Sequence, residues 1–166
     1  MKKFVSVIFC ALLSLFLLVG CGNTPKAAVK DYLNTLRKEG AKYNDSITNK
    51  LNKEFSSVFK EMNYKILDVD VDGNYATVEV EIESKNISVA LTDSMLTGYM
   101  YAYAGVYDYE LDTAMEVVMA ENLKNQTIEK RRGNIHLFNE YGVWEVVQDS
   151  DLEEVIFGAC IDGLLY

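Results

Sequence analysis

One string of carboxylates, Asp68-x-Asp70-x-Asp72-Gly73 followed after five residues by Glu79, matches a calcium-loop spacing at every specified position. Carboxylates so spaced suit a hard, oxygen-seeking cation, and the glycine allows the sharp turn. Both flanks, however, alternate apolar and polar residues with period 2, where a calcium loop needs helices. In a hairpin Asp68, Asp70 and Glu79 line one wet face and cannot wrap a single ion, so a solvated acidic strand face is the simpler reading and calcium binding (Asp68, Asp70, Asp72, Glu79) the competing one. His136 is the only histidine, so any histidine-based metal site or triad must be built around it. Its parity sets it away from Ile135 and Leu137, next to Glu145, which predicts an ion pair on a sheet face and leaves no residue assigned as catalytic. Lys130-Arg131-Arg132 is a short basic cluster that reads as a solvated strand guarding a sheet edge, or as a contact for an acidic partner. Tyr99, Tyr101, Tyr103, Tyr107 and Tyr109 fall within eleven residues and offer broad contact area with polar tips, against the plainer reading of half-buried packing.

A different chemistry is implied at the N-terminus. Lys2 and Lys3 precede an apolar run from Phe4 to Val19 broken only by Ser6 and Ser14, shorter than the roughly 20 residues a membrane-spanning helix wants and fit for the core of an export signal. Leu18-Val19-Gly20-Cys21 resembles the lipobox of bacterial lipoproteins. The resemblance implies cleavage before Cys21 and a diacylglyceryl group in thioether linkage on its sulfur, with palmitate-type acyl chains holding the product on the extracytoplasmic face of the cell membrane. Two chains, at about 0.8 kcal/mol per buried CH₂, anchor a protein that one chain holds only marginally. Residues 1–20 are then signal peptide, 21–24 the lipidated start and a very short tether, and 25–166 a single α+β domain.

Composition is consistent with that division. With Cys10 in the signal and Cys21 on lipid, Cys160 is the remaining thiol, so no internal disulfide is expected and packing must supply stability. Cys160 sits in an apolar stretch and reads as a small buried hydrophobe. Without Lys2 and Lys3 the exported part carries 14 basic and 25 acidic side chains, a net charge of −11 that argues against nucleic acid and against attraction to anionic headgroups. No resident cofactor is expected.

The positioning elements follow from periodicity. Thr24-Pro25 opens a helix with Val29, Tyr32, Leu33 and Leu36 on one face and Gly40 at its end. A second helix is expected to start near Asp45 or Ser46, with Ile47, Leu51, Phe55, Val58, Phe59 and Met62 inward. The pattern then changes to a hairpin in which Ala76, Val78, Val80 and Ile82 face the core. An Asp72-Gly73 turn, preferred because it keeps Asp68 from facing Glu79, pairs Val69 with Ala76. From Val89 to Asn122 a helical insert is expected, with Met95, Tyr99, Ala102 and Val106 on one face and Thr113–Glu116 as a capping box. A second hairpin closes with a four-residue loop at 139–142, which sets His136 opposite Glu145, and Gly133 marks a bulge upstream. Ser150-Asp151-Leu152-Glu153 caps a last helix that ends near Gly163.

This order of elements resembles the nuclear-transport-factor-2-like fold, a curved antiparallel sheet wrapped around N-terminal helices as a cone. The Lys30–Leu36 helix core, the Asp68–Glu83 hairpin and the strand Gly142-Val143-Trp144-Glu145-Val146 are similar to uncharacterised bacterial lipoproteins of that superfamily. The resemblance implies the fold and an open cavity and no activity, since the fold hosts enzymes and binding modules alike. The expectation is therefore a non-enzymatic, membrane-anchored binding module of the cell envelope, with a protein or small-molecule partner and the five tyrosines as contacts. An isomerase or dehydratase using the cavity is the alternative from another class.

Overall fold

Residues 21–40, 49–105 and 108–159 are described by a computed structural model of the chain. Thr24 caps helix α1 (Pro25–Glu39), its hydroxyl accepting the Ala27 N–H at 3.2 Å with Pro25 in the first turn. Ala28, Val29, Tyr32, Leu33 and Leu36 are buried along one stripe, as expected. Helix α2 (Asn49–Glu61) adds Leu51, Phe55, Val58 and Phe59 to the same core; the expected start at Asp45 or Ser46, with Ile47, lies outside the described residues. Gly40 closes α1 where a side chain would run into the Phe59 ring.

Strands β2 (Asn63–Asp72), β3 (Tyr75–Ser84), β4 (Glu129–Glu140) and β5 (Val143–Val146) form an open antiparallel sheet that a two-residue β1 (Cys21–Gly22) extends, in the order β1-β5-β4-β3-β2. Ala76, Val78, Val80 and Ile82 of β3 and Ile135 and Leu137 of β4 fill the inner face, against α1, α2 and the last helix α5 (Ser150–Phe157). The architecture is α+β. Helices α3 (Ile87–Tyr103) and α4 (Asp108–Asn125) are inserted between β3 and β4, so the expected helical insert is present.

Several registers differ from expectation. The first turn is Gly73-Asn74, with Asp72 paired to Tyr75 and Asp68 facing Glu79. Gly73 has φ +59°, and a turn with glycine at its first central position outweighs one like-charge pair in water, worth roughly 0.2–1 kcal/mol. The bulge is at Leu67 in β2, where pairing shifts between Ile66 and Asp68, and not at Gly133, through which β3 and β4 pair without a slip. Gly133 instead leaves room for Val155 of α5, which an added Cβ would approach to 3.0 Å.

The second hairpin turns on two residues, Tyr141 (φ 53°) and Gly142 (φ 86°), rather than four. Two consecutive left-handed residues match the twist of the flanking strands, which favours the tighter turn. Glu145 therefore faces Phe138, and the His136 carbonyl instead accepts the Val147 N–H at 2.8 Å.

Helix boundaries shift too. Thr113–Glu116 lie inside α4, which has already begun at Asp108, so they cap nothing. Helix α5 is capped by Asp149, one residue early, because its carboxylate reaches the Leu152 N–H at 2.9 Å. It ends on Gly158 (φ 98°), well before Gly163. On α3 the buried face is Ile87, Ala90, Leu91, Ser94 and Gly98, and Met95 packs only partly. Tyr99 and Ala102 of the expected shared face are exposed and Met95 is half-buried, because Gly98 brings α3 against Met115 of α4 and turns the following residues outward; Val106 lies outside the described residues.

Candidate functional site

Each sequence-derived site residue now has a place, apart from those outside the described residues. The backbone of Cys21 pairs with Glu145 and that of Gly22 with Trp144, so Cys21 is itself the start of the sheet's edge strand. Only Gly22, Asn23 and Thr24 lie between it and α1, and Gly22 is itself paired in the strand. Tyr107 lies outside the described residues, as does the side chain of Tyr109.

The remaining tyrosines share an uncharged surface on the distal half of α3. Tyr103 is 98% exposed, Met100 68% and Leu96 60%, with Tyr99 and Tyr101 also open to solvent. Asp93 is the only charged residue of α3. Contiguous exposed apolar side chains are uncommon on a solvated domain and mark places where a partner sits. Small inward residues explain how this surface arises: Ala90, Ser94 and Gly98 let α3 approach α4 closely, and the bulk is left facing out.

The acidic row does not converge. Asp68, Asp70 and Asp72 alternate along the outer face of β2, opposite Glu79, Thr77 and Tyr75. Among the described residues no three acidic, histidine or cysteine side chains gather as a metal ion would need.

His136 pairs with Asp149 and not with Glu145. Its Nδ1 lies 2.8 Å from Asp149 Oδ2, and its Nε2 3.8 Å from Asp151. The other Asp149 oxygen caps α5, so one carboxylate ties the helix start to β4. This arrangement fixes a helix; no nucleophile joins it among the described hydrogen bonds.

The basic triplet is split by strand alternation. Lys130 and Arg132 turn to the outer face, where Arg132 Nε donates to Glu81 at 3.0 Å and Lys130 meets Glu83 at 2.7 Å. Lys65 adds a third cation against Glu81, whose carboxyl is held below the usual carboxylate range by the Arg132 hydrogen bond first, burial opposing, and then by the nearby positive charges. Arg131 points inward, correcting the expectation of a solvated triplet. Its guanidinium donates to the carbonyls of Val155 and Ile156 at the end of α5 and to Ser84, and burial lowers its pKa. Tyr32 is likewise buried, which raises the pKa of its phenol, although a hydrogen bond with Gln148 offsets part of the shift.

Two clefts accompany these groups. One of about 440 Å³ lies beside β4 under α5, lined by Arg132, Asn134, Asp151 and Glu154 among others. Another of about 340 Å³ opens between the ends of α1 and α2, lined by Asn34, Arg37, Lys38 and Lys60. Sequence reasoning missed the second. Its signal was a charge asymmetry hidden in the net figure: residues 22–62 carry eight Lys or Arg against five Asp or Glu, and residues 63–166 six against twenty. Between the sheet and α1, α2 and α5 the interior is filled by Leu33, Leu36, Phe59, Met62, Ile82 and Phe157.

No family model, curated protein or solved structure matches the chain. Among the described residues no helix is long and apolar enough to cross a membrane.

Proposed function

We propose that the mature protein is a lipid-anchored binding module on the extracytoplasmic face of the cell membrane, of the nuclear-transport-factor-2-like cone type, which engages another envelope component through the distal face of α3. The signal-like residues 1–20 and the L-V-G-C sequence support the anchor, and the order of helices, hairpins and insert supports the cone. One observation carries the binding reading: Leu96, Tyr99, Met100 and Tyr103 lie exposed on a helix that buries its small residues. Tyrosine and methionine at such density suit a contact that is largely apolar but tolerant of water. A partner in the same membrane needs little reach, which fits a domain that begins at its anchor.

Two measurements test it. Mass spectrometry of the cell-made product is expected to find Cys21 as the first residue with a diacylglyceryl group, and Cys21→Ser is expected to release the protein from the membrane fraction. A photo-crosslinking amino acid at Tyr99 or Tyr103 is expected to capture one discrete envelope component, and the same probe at Lys53 none. An intact amino-terminal Met1 overturns the anchor, and equal labelling from all three positions overturns the contact face.

A further inference from the structure

Lys26, Lys30, Asn34, Arg37 and Lys38 recur at i, i+4, i+8, i+11 and i+12 along α1, in a stripe that borders the buried face of Ala28, Val29, Leu33 and Leu36. They run about 18 Å from the first turn, beside the Cys21–Gly22 strand, to the cleft that Lys60 completes. Lys26, Lys30, Lys38 and Lys60 are exposed and Arg37 is half-buried. Among the described residues none of these five cations is ion-paired, whereas Lys50, Lys65, Lys124, Lys130 and Arg132 each meet a carboxylate. Asp31 and Glu39 are the only acids on α1, so the helix surface remains positive on a protein that is otherwise strongly acidic. Within the cleft, the Asn34 carbonyl oxygen is engaged by the Tyr64 hydroxyl at 3.1 Å, and that phenol, its pKa raised chiefly by burial, stays a neutral neighbour for the cations.

We infer that this stripe is the face the protein lays against an anionic phospholipid leaflet, with a headgroup phosphate seated between Arg37, Lys38 and Lys60. The inference rests on the proposed anchor at Cys21, which brings the start of α1 to the leaflet together with β5, the strand its backbone pairs with. Guanidinium and ammonium groups are the donors a phosphate diester needs, and each cation near an anionic surface strengthens attachment about fivefold. Net charge does not oppose it, because the acidic excess belongs to residues 63–166 and attraction at the surface is felt within a Debye length of about 8–10 Å. The stripe fixes orientation: lipid holds the protein on the membrane, and α1 decides which side faces it.

The cell-made product is mixed with vesicles of phosphatidylcholine alone or phosphatidylcholine doped with phosphatidylglycerol, floated, and labelled with an acetylating reagent, with Lys85 and Lys124 as internal references. The expected result is flotation with both vesicles, and labelling of Lys26, Lys30, Lys38 and Lys60 slowed about tenfold on the doped vesicles alone and restored by high salt. The exposed swaps Lys30→Glu, Lys38→Glu and Lys60→Glu, combined, are expected to abolish the protection of Lys26, the remaining reporter of the stripe, while leaving flotation and thermal unfolding unchanged. Flotation with both vesicles but no difference in labelling overturns the orientation and leaves the anchor standing. Flotation with the doped vesicles alone supports the stripe and rejects the anchor, and flotation with neither rejects both. Protection of Lys38 and Lys60 by inorganic phosphate alone, with no vesicle effect, assigns the cleft to a soluble anion and overturns the lipid assignment.

Discussion

Helices α1 and α3 are of similar length and both are capped by a side chain, yet they spend their apolar residues in opposite ways. Helix α1 buries its large side chains, Tyr32, Leu33 and Leu36, and shows its lysines to solvent. Helix α3 buries Ala90, Ser94 and Gly98 in its middle and shows Leu96, Tyr99, Met100 and Tyr103. Burial of large apolar groups is the main driving force of folding, so α1 serves stability along its length, whereas α3 does so through Ile87 and Leu91 near its start and not through its distal half. Bulk displayed in this way points to a contact made outside the domain.

The comparison breaks most visibly at Leu36. Leu36→Ala removes a fully buried side chain and is expected to cost about 2–5 kcal/mol in chemical denaturation, whereas Leu96→Ala is expected to stay within about 0.5 kcal/mol of the unmodified protein. Equal losses at the two positions would mean that α3 is covered in solution. Gly98→Ala comes next. Its Cβ would sit 2.5 Å from Met115 Sδ, so an overpacking cost of about 1–3 kcal/mol is expected unless Met115 swings aside, and crosslinking from Tyr103 is expected to weaken as α3 tilts.

Arg131→Met tests whether the α5 end depends on that buried guanidinium. Leaving the Val155 and Ile156 carbonyls without it is expected to cost about 1–3 kcal/mol, seen as lost amide protection in α5 before the rest of the sheet. Thr24→Ala removes the α1 cap at a cost of about 1 kcal/mol by thermal unfolding.

The smallest expected effect is a pH dependence. Glu81 has a lowered pKa in the folded state, so the stabilisation it contributes is present above the ordinary carboxylate pKa and is lost as pH falls through its folded value. Glu81→Gln is therefore expected to lower stability on the neutral-to-basic side, where the charged carboxylate meets its cations, and so to flatten the acid limb of a stability-versus-pH curve while changing little well below the folded pKa.

What the sequence reveals depends on whether a signal is local. Thr24-Pro25 with Val29, Tyr32, Leu33 and Leu36 specifies α1 within one window, and the inward residues of β3 follow equally from period 2. The insert is also legible as helix, but its inward face is not, because Gly98 matters only through Met115 on another element. Strand registers fail for a related reason. Gly73-Asn74 and Tyr141-Gly142 each compete with a neighbouring turn of nearly equal energy, and a bulge at Leu67 has no composition mark. Arg131 shows the limit most clearly. It stands between two outward cations in a triplet that looks uniformly solvated, and its partners are carbonyls some two dozen residues away. At the candidate site, the exposed tyrosines were visible as composition, while the unpaired cations of α1 disappeared into a net charge of the opposite sign.

The brevity of β5 has a consequence for how copies of this molecule meet. It accompanies β4 only from Leu137 to Glu140, and among the described residues no strand follows the upstream half of β4 on that side. Exposed ladder groups of this kind invite edge-to-edge association, the route to swapped dimers and fibrils. Here α5 roofs the margin through Val155 at Gly133, and its acidic Asp151 and Glu154 repel an approaching acidic twin. The margin that the short β5 leaves open is thus sheltered by a helix whose exposed charges are acidic.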